Sequence, residues 1–351
     1  MNRLDYLIRR LLLVLPTFVG ITFLCFAVIQ FVPGGPVEQA ILKMRGLGTG
    51  GESSASSQVS RGEEGGVSAE QREAIRKYYG FDQPFLVRYW HWFWRDRIGM
   101  RMESYRFPNK TAWQLIRERF PVSLTFGLTG FLLTYLVCIP LGMAKALRHG
   151  TPFDFATSAI VFIGYAIPAF ALGMLLKMAL CGTVEQLWDI FPATGFHSPD
   201  FAQLSFWARA KDIFRHMFLP VVCYMSGSFA VLTLLMKNSL LEQINSDYVR
   251  TVYAKGAGTF RVLWKHVLRN ALIPVATGFG SVLTLMFAGS VIIEQVFEIP
   301  GMGLLSLEAI VGRDYPVFMG VLALTAFLGL LGNILSDFAY VLIDPRISFS
   351  D

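Results

Sequence analysis

Residues 11–32 read LLLVLPTFVGITFLCFAVIQFV, a stretch that contains no charged side chain. About 20 mostly apolar residues in a helix cross a hydrocarbon core of roughly 30 Å, and a helix satisfies its own backbone hydrogen bonds in lipid. The stretch follows Arg9 and Arg10, exceeds the apolar part of a signal peptide, and runs into Pro33 and Gly34 without a small-residue cleavage pattern. We therefore predict an uncleaved first membrane helix whose N-terminus lies in the cytoplasm.

The remainder of the chain has the composition of a membrane protein. Of its 351 residues, 54% are hydrophobic and 16% are charged, against roughly 45–50% and about 25% in soluble domains. Further apolar runs long enough to span a membrane follow at 121–144, 155–180, 217–236, 271–293 and 317–343. The pattern predicts an all-α membrane protein with six helices.

The apolar runs divide the chain into three parts. Residues 1–32 hold the N-terminal region and the first helix, 33–120 form a long polar external loop, and 121–351 form a five-helix core. Within the loop, residues 45–68 are dominated by Gly, Ser and Glu, a composition that predicts a flexible insert. The aromatic-rich stretch after it is typical either of amphipathic helices at a membrane interface or of a small folded exterior domain.

The short loops orient the helices, because lysine and arginine are enriched in cytoplasmic loops. Lys145 and Arg148 lie in one short connection, and the longer connection 237–270 is also basic. An even number of crossings then places both termini in the cytoplasm. The formal net charge of +6 fits this cytoplasmic excess better than nucleic-acid binding.

Motifs for catalysis are absent from the sequence. It contains no phosphate-binding loop, no His-Glu-x-x-His and no Gly-x-Ser-x-Gly, and its four cysteines lie within or beside apolar runs without metal-ligand spacing. We expect no catalytic residue, no cofactor and no metal site. A self-contained channel and an interfacial membrane enzyme stay open as alternatives.

The connection 237–270, which we call the coupling segment, is the most informative part of the sequence. It reads DYVRTVYAKGAG at 247–258 and is too long for a simple turn. Gly256 and Gly258 predict a break between two short helices. A short helix that ends at glycine presents one face to a groove in a partner, in this case through Tyr248, Val249, Val252 and Tyr253.

This segment resembles the signature loop of ABC importer permeases, in the branch for dipeptides, oligopeptides and nickel. The branch pattern runs Tyr-Val-Arg-Thr-Ala-Arg-Ala-Lys-Gly and ends Arg-Asn-Ala-Leu-Ile-Pro, and RNALIP stands at 269–274. The resemblance continues through EQVFEIPGMG at 294–303, RDYP at 313–316 and DPR at 344–346. The insert after Arg45 is similar to that of the subgroup named for the peptide antibiotic microcin C.

Three places depart from the branch or superfamily pattern. Arg250 stands where the wider permease superfamily has a glutamate, which favours the peptide branch, and Tyr253 stands where the branch usually has arginine. Residues 97–99, Arg-Ile-Gly, replace a frequent Gly-Asp-Leu-Gly. We therefore expect the exterior turn at 97–99 to differ from that of the branch.

The resemblance implies transport without catalysis by this chain. It implies an ABC importer-type transmembrane domain that forms half of a peptide pathway in the bacterial inner membrane, with peptide antibiotics such as microcin C as further cargo. The implied partners are a second permease subunit, two ATP-binding subunits that hydrolyse ATP, an external substrate-binding protein and membrane lipid, with no nucleic acid. An importer of nickel or another small solute is the alternative within the family.

The resemblance also implies which residues contact the ATP-binding subunits. These are Tyr248, Val249, Arg250, Thr251, Tyr253, Ala254, Lys255, Gly256 and Gly258. Polar side chains in apolar helices, and one carboxylate at the outer boundary, are candidates for lining or gating the pathway: Tyr165, Ser226, Thr277, Ser281 and Glu294. Most such hydroxyls simply bond across helices, and for Glu294 a place in the turn around Pro300 and Gly301 is the stronger alternative.

Overall fold

The computed structural model describes residues 3–31, 70, 73–74, 77, 82–182, 188–276 and 290–343. These residues form helices joined by loops. The predicted flexible insert 45–68 and residues 277–289 of the predicted fifth membrane helix lie outside them.

The α-helices of the described residues are numbered in chain order. They are α1 (Arg3–Phe31), α2 (Phe85–Trp90), α3 (Ala112–Leu147), α4 (Pro152–Ala166), α5 (Ala169–Leu180), α6 (Phe206–Ile244), α7 (Asp247–Ala254), α8 (Thr259–Arg261), α9 (Leu268–Ala276), α10 (Val291–Val296), α11 (Met302–Val311) and α12 (Tyr315–Ile343). A π-helical turn, His91–Arg95, continues α2, and another, Val262–Val267, joins α8 to α9.

Four of these helices, α1, α3, α6 and α12, are long and apolar enough to cross a membrane, and the bent pair α4 and α5 brings the number to as many as five among the described residues. The predicted all-α membrane class is confirmed. The predicted span 271–293 is described only as far as Ala276 and again from 290, so the total of six remains a prediction.

The predicted third span, 155–180, is not one straight helix. The structure divides it into α4 and α5, which meet at an angle of 96°. Pro168 explains the break, because proline has no N–H and disfavours helical geometry in the residue before it. Ile167 accordingly has an extended backbone, with φ −82° and ψ 120°.

The chain divides into two compact units. The first comprises Met1–Phe18, Glu118–Leu305 and Leu324–Asp351, and the second comprises Val19–Arg117 and Ser306–Ala323.

The first unit contains two apolar cores, and each is defined by its buried side chains. The first core holds Cys138, Ala146, Leu232, Met236, Leu240, Val249, Val262, Val267, Leu268, Ala271 and Val275. The second core holds Val122, Phe126, Cys181, Met217, Leu219, Val221, Cys223, Ile293, Phe297 and Ile299. The first core therefore joins α3, α6 and α9 to the coupling segment.

In the second unit, the aromatic-rich stretch packs on α1. The ring of Phe26 lies 5.6 Å from that of Tyr89 and 5.7 Å from that of Trp92, measured between centroids. Tyr89 and Trp92 are buried, whereas Trp90 and Trp94 are exposed. The stretch thus has one face against α1 and one open aromatic face.

The exterior turn at 97–99 has an uncommon backbone. Arg97, Ile98 and Gly99 have φ values of 49°, 60° and 73°, all in the left-handed region. A Cβ on Gly99 would lie 2.5 Å from Nε1 of Trp92, so the tight approach requires glycine there.

The Arg-Asp-Tyr-Pro motif anchors a loop of the second unit. Asp314 is buried, and its carboxylate accepts hydrogen bonds from the N–H groups of Tyr105, at 3.1 Å, and Arg106, at 3.3 Å, and from the hydroxyl of Ser104. The motif is therefore structural in this unit, since its buried charge is held by fixed donors.

Candidate coupling segment

The coupling segment contains the predicted break between two helical arms. After α7, the N–H of Gly256 bonds the carbonyl of Tyr253 at 2.9 Å, and the N–H of Ala257 bonds that of Val252 at 3.4 Å. These two bonds, with φ of +80° at Gly256, form the left-handed helix end known as a Schellman motif. Gly258 then has an extended backbone and precedes α8.

Both arms are fixed to the ends of the long helices. Val249 on the first arm is 2% exposed, Val262 on the second arm is fully buried, and both lie in the first core. The hydroxyl of Tyr248 donates a hydrogen bond of 2.9 Å to Oε1 of Gln243 in α6. Ser239 of α6 donates one of 2.8 Å to the carbonyl of Ala271 in α9. The segment is therefore built onto α6 and α9 and is not a free loop.

The exposed face of α7 differs from the one expected. Tyr248 and Val252 pack against the first core together with Val249, so these three side chains point into the chain. Of the four side chains expected to face a partner, Tyr253 is the exposed one, at 43%. The other exposed positions of the candidate set are Arg250, Thr251, Ala254, Lys255, Gly256 and Gly258.

Two exposed aromatic side chains of the segment were not among the predicted contacts. Phe260 and Trp264 lie on the second arm, four residues apart, with ring centroids separated by 5.9 Å. Exposed aromatic residues of this size are enriched at protein interfaces. The signal in the sequence was an aromatic pair at helical spacing, Phe260 and Trp264, each member followed by a basic residue.

At the start of the coupling segment lies a largely buried cluster, the Lys–Asp–Lys triad, formed by Lys145, Asp154 and Lys237. The ammonium of Lys237 lies 2.9 and 2.7 Å from the two carboxylate oxygens of Asp154. The ammonium of Lys145 lies 3.1 Å from Oδ1 of the same carboxylate. The triad joins the end of α3, the first turn of α4 and α6.

Lys145 is fully buried and has further acceptors around it. Its ammonium donates to the carbonyl of Asp154 at 2.9 Å and to the hydroxyls of Thr157, at 2.9 Å, and Ser158, at 2.7 Å. The carboxylate of Asp154 also accepts the N–H of Gly150 at 3.3 Å. A buried charge with partners of this kind is held firmly, because losing one leaves another charge uncompensated.

Glu294, a pathway candidate, is 1% exposed within this chain. Its carboxylate accepts hydrogen bonds from the N–H groups of Leu304, at 2.7 Å, and Ser290, at 3.3 Å, and from the hydroxyl of Ser123, at 3.4 Å. Ser123 in turn accepts the N–H of Met302 at 2.7 Å. These contacts support the structural alternative, in which Glu294 holds the Pro-Gly turn.

The other pathway candidates lie on separate elements. Tyr165 is in the last turn of α4 and is exposed, whereas Ser226 in α6 bonds the carbonyl of Cys223 in its own helix at 2.7 Å. Thr277 and Ser281 lie outside the described residues. Within the described part of the chain, no group of three or more His, Cys, Asp or Glu side chains is placed to hold a metal ion.

Comparison with known proteins covers most of the chain. Residues 138–349 match the family described as "Binding-protein-dependent transport system inner membrane component". The chain is 42% identical to an inner membrane ABC transporter permease protein, YejB, of Escherichia coli O157:H7, and 39% identical to a peptidoglycan transport system permease protein, YejB, of Agrobacterium fabrum. It is 33% identical to the dipeptide transport system permease protein DppB of Escherichia coli K12. In each case the match covers 98% of both chains.

Proposed function

Because the chain belongs to the family of binding-protein-dependent transport system inner membrane components, we propose that it is the permease subunit of an ATP-driven importer of peptides. The observation that carries the proposal is similarity along the whole chain to transport permeases, among them a dipeptide transport system permease at 33% identity. The chain is a transport component and not an enzyme, as its family implies.

As a multi-pass inner membrane protein of this family, the chain acts in a complex with ATP-binding and substrate-binding components. Our proposal for the assembly is a second permease subunit of similar build, two ATP-binding subunits and one external binding protein. The two permeases would share one pathway, and this chain would supply half of it.

The proposed orientation places both termini and the coupling segment in the cytoplasm and residues 33–120 outside as one loop. The basic residues of the short connections support it. Residues 121–351 would then form the permease core.

The coupling segment is proposed as the contact with the ATP-binding subunits. Its exposed residues include Arg250, Tyr253 and Lys255 on one arm and Phe260 and Trp264 on the other. Because the arms are fixed to α6 and α9, a displacement of the segment moves these helices with it as a rigid body. ATP binding and hydrolysis in the partners would in this way reorient the pathway.

The cargo is tested by deleting the gene for this chain in a strain that needs an external peptide for growth. We expect growth on the peptide to be lost and restored by a plasmid copy, while cellular nickel stays unchanged. Sensitivity to a peptide-linked antibiotic should fall in the same deletion strain. Normal growth on peptides together with depleted nickel would contradict the proposal and favour the nickel alternative.

A further inference from the structure

Both halves of the bent third span lie against α6, but at different points along it: Gly173 of α5 lies beside Cys223, whereas Asp154 of α4 contacts Lys237. Leu172 and Leu176 of α5 pack on the second core. The ammonium of Lys177 donates a hydrogen bond of 3.0 Å to the carbonyl of Val296 in α10. Apolar packing and a cross-helix hydrogen bond therefore hold α5 to the second core.

The other half, α4, buries Val161 but contributes no side chain to either of the two cores among the described residues. Phe155, Ile160 and Ile163 of α4 are exposed within this chain. Its polar attachment is the Lys–Asp–Lys triad at its first turn, where Asp154 meets Lys145 of α3 and Lys237 of α6. The triad includes Lys237, the residue of α6 at which the coupling segment begins.

The junction between the halves has the chemistry of a hinge. Pro168 has no N–H, so the backbone hydrogen bond that would continue α4 across this point is missing. Ile167 already has an extended backbone, and α4 and α5 meet at 96°. The angle between α4 and α5 can therefore change here without breaking a helical hydrogen bond donated by residue 168.

We propose that Asp154 is a positioning residue for the transport cycle: it ties α4 to the coupling segment, so that α4 follows the segment while α5 stays with the second core. The chain bends at Ile167–Pro168 during this movement. A buried ion cluster resists separation more strongly than sliding apolar surfaces do, because separating it leaves charges unpaired. Tyr165, in the last turn of α4, is thereby moved relative to α5.

Distances between nitroxide labels test the hinge in the full reconstituted transporter with the triad intact. Native cysteines are replaced by alanine, and one pair of labels is placed at Ile163→Cys and Asn245→Cys, on α4 and in the coupling segment. A second pair, at Ile163→Cys and Met174→Cys, reports across the bend. We expect the addition of ATP with a transition-state trap to change the second distance and leave the first unchanged. A changed first distance, or an unchanged second one, would overturn the proposal.

The role of Asp154 is tested by Asp154→Asn with Asp212→Asn as the matched control. Asp212 is another largely buried aspartate of the first unit, bonded to the N–H of Ser198 at 2.9 Å, and it lies near the opposite end of α6 from Lys237. We expect Asp154→Asn to lower the number of peptides transported per ATP hydrolysed about tenfold, a usual size for coupling between sites. The control should keep this ratio, and the first label pair should become sensitive to ATP only in Asp154→Asn.

An unchanged transport ratio in assembled Asp154→Asn would overturn the role of this residue. If the variant fails to assemble, the label distances in the chain with the intact triad still decide the hinge. The transport readout rests on the proposed function, and absence of ATP-dependent peptide uptake by the unaltered complex would refute that function separately. The label distances do not depend on which solute is carried.

Discussion

Gly301 faces the carboxylate of Glu294 so closely that a Cβ at position 301 would lie 2.5 Å from Oε1 of Glu294. No real Cβ contact is that short. A side chain at 301 would therefore displace the carboxylate and break the hydrogen bonds that it accepts from backbone N–H groups. The Pro-Gly turn and the buried glutamate are thus one structural feature.

Gly301→Ala should lower the free energy of unfolding by about 1–3 kcal/mol, the usual cost of overpacking. Gly227→Ala is the control, because a Cβ there meets nothing within 4 Å and alanine favours a helix. Thermal unfolding of the purified transporter measures both. Equal unfolding temperatures for the two variants would show that the turn accommodates a side chain.

Gly256→Ala should reduce ATP-dependent peptide uptake while the protein still inserts in the membrane. A Cβ at Gly256 meets nothing within 4 Å, so the cost comes from the left-handed backbone, about 1–2 kcal/mol for a residue with a side chain. Gly258→Ala, at φ of −70°, should cost less. Uptake assays with immunodetection of the membrane-inserted chain compare them, and the reverse order would refute a role for the turn geometry.

Tyr253→Ala and Val249→Ala should separate partner binding from stability. Tyr253 is exposed, so its loss should weaken binding of the ATP-binding subunits about tenfold, as for an aromatic interface residue, without changing the unfolding temperature. Val249 is buried, so its truncation should lower stability by about 1–3 kcal/mol and leave the affinity of the assembled chain unchanged. The affinity for the ATP-binding subunits and the unfolding temperature are measured for both variants. The same defect in both variants would contradict the prediction.

Asp200 lies between the third and fourth predicted spans, a connection that the proposed orientation places outside. A cysteine at this position should react with an impermeant thiol reagent in intact cells, whereas one at Thr259 should react only after the cells are opened. Both positions are exposed in the chain, so a difference in labelling reports the side of the membrane. The reverse result would invert the orientation and remove the coupling segment from the cytoplasm.

The sequence predicts the long helices well because an uninterrupted apolar run allows few alternatives in lipid. It underestimates α6, predicted at 217–236 but extending from Phe206 to Ile244, since the polar turns at both ends carry no apolar signal. It also misses the bend of the third span, although Pro168 was the available clue.

At the coupling segment, the break at Gly256 could be predicted because glycine is favoured where φ is positive. Which face of α7 points inward could not, because Val249 is turned inward by residues of α3, α6 and α9 that are distant in sequence. The triad was missed for the same reason, since Asp154 and Lys237 are separated by 83 residues.

That separation has a consequence for how the protein is made. Lys145 and Asp154 emerge from the ribosome almost together, so the hairpin of α3 and α4 can enter the membrane with its buried charges already balanced. At roughly 5–20 residues per second, Lys237 follows several seconds later and finds a carboxylate that is already occupied. The last member of the triad therefore adds a positive charge to a neutral pair, and the contact between Lys237 and Asp154 can form only when α6 docks against α3 and α4.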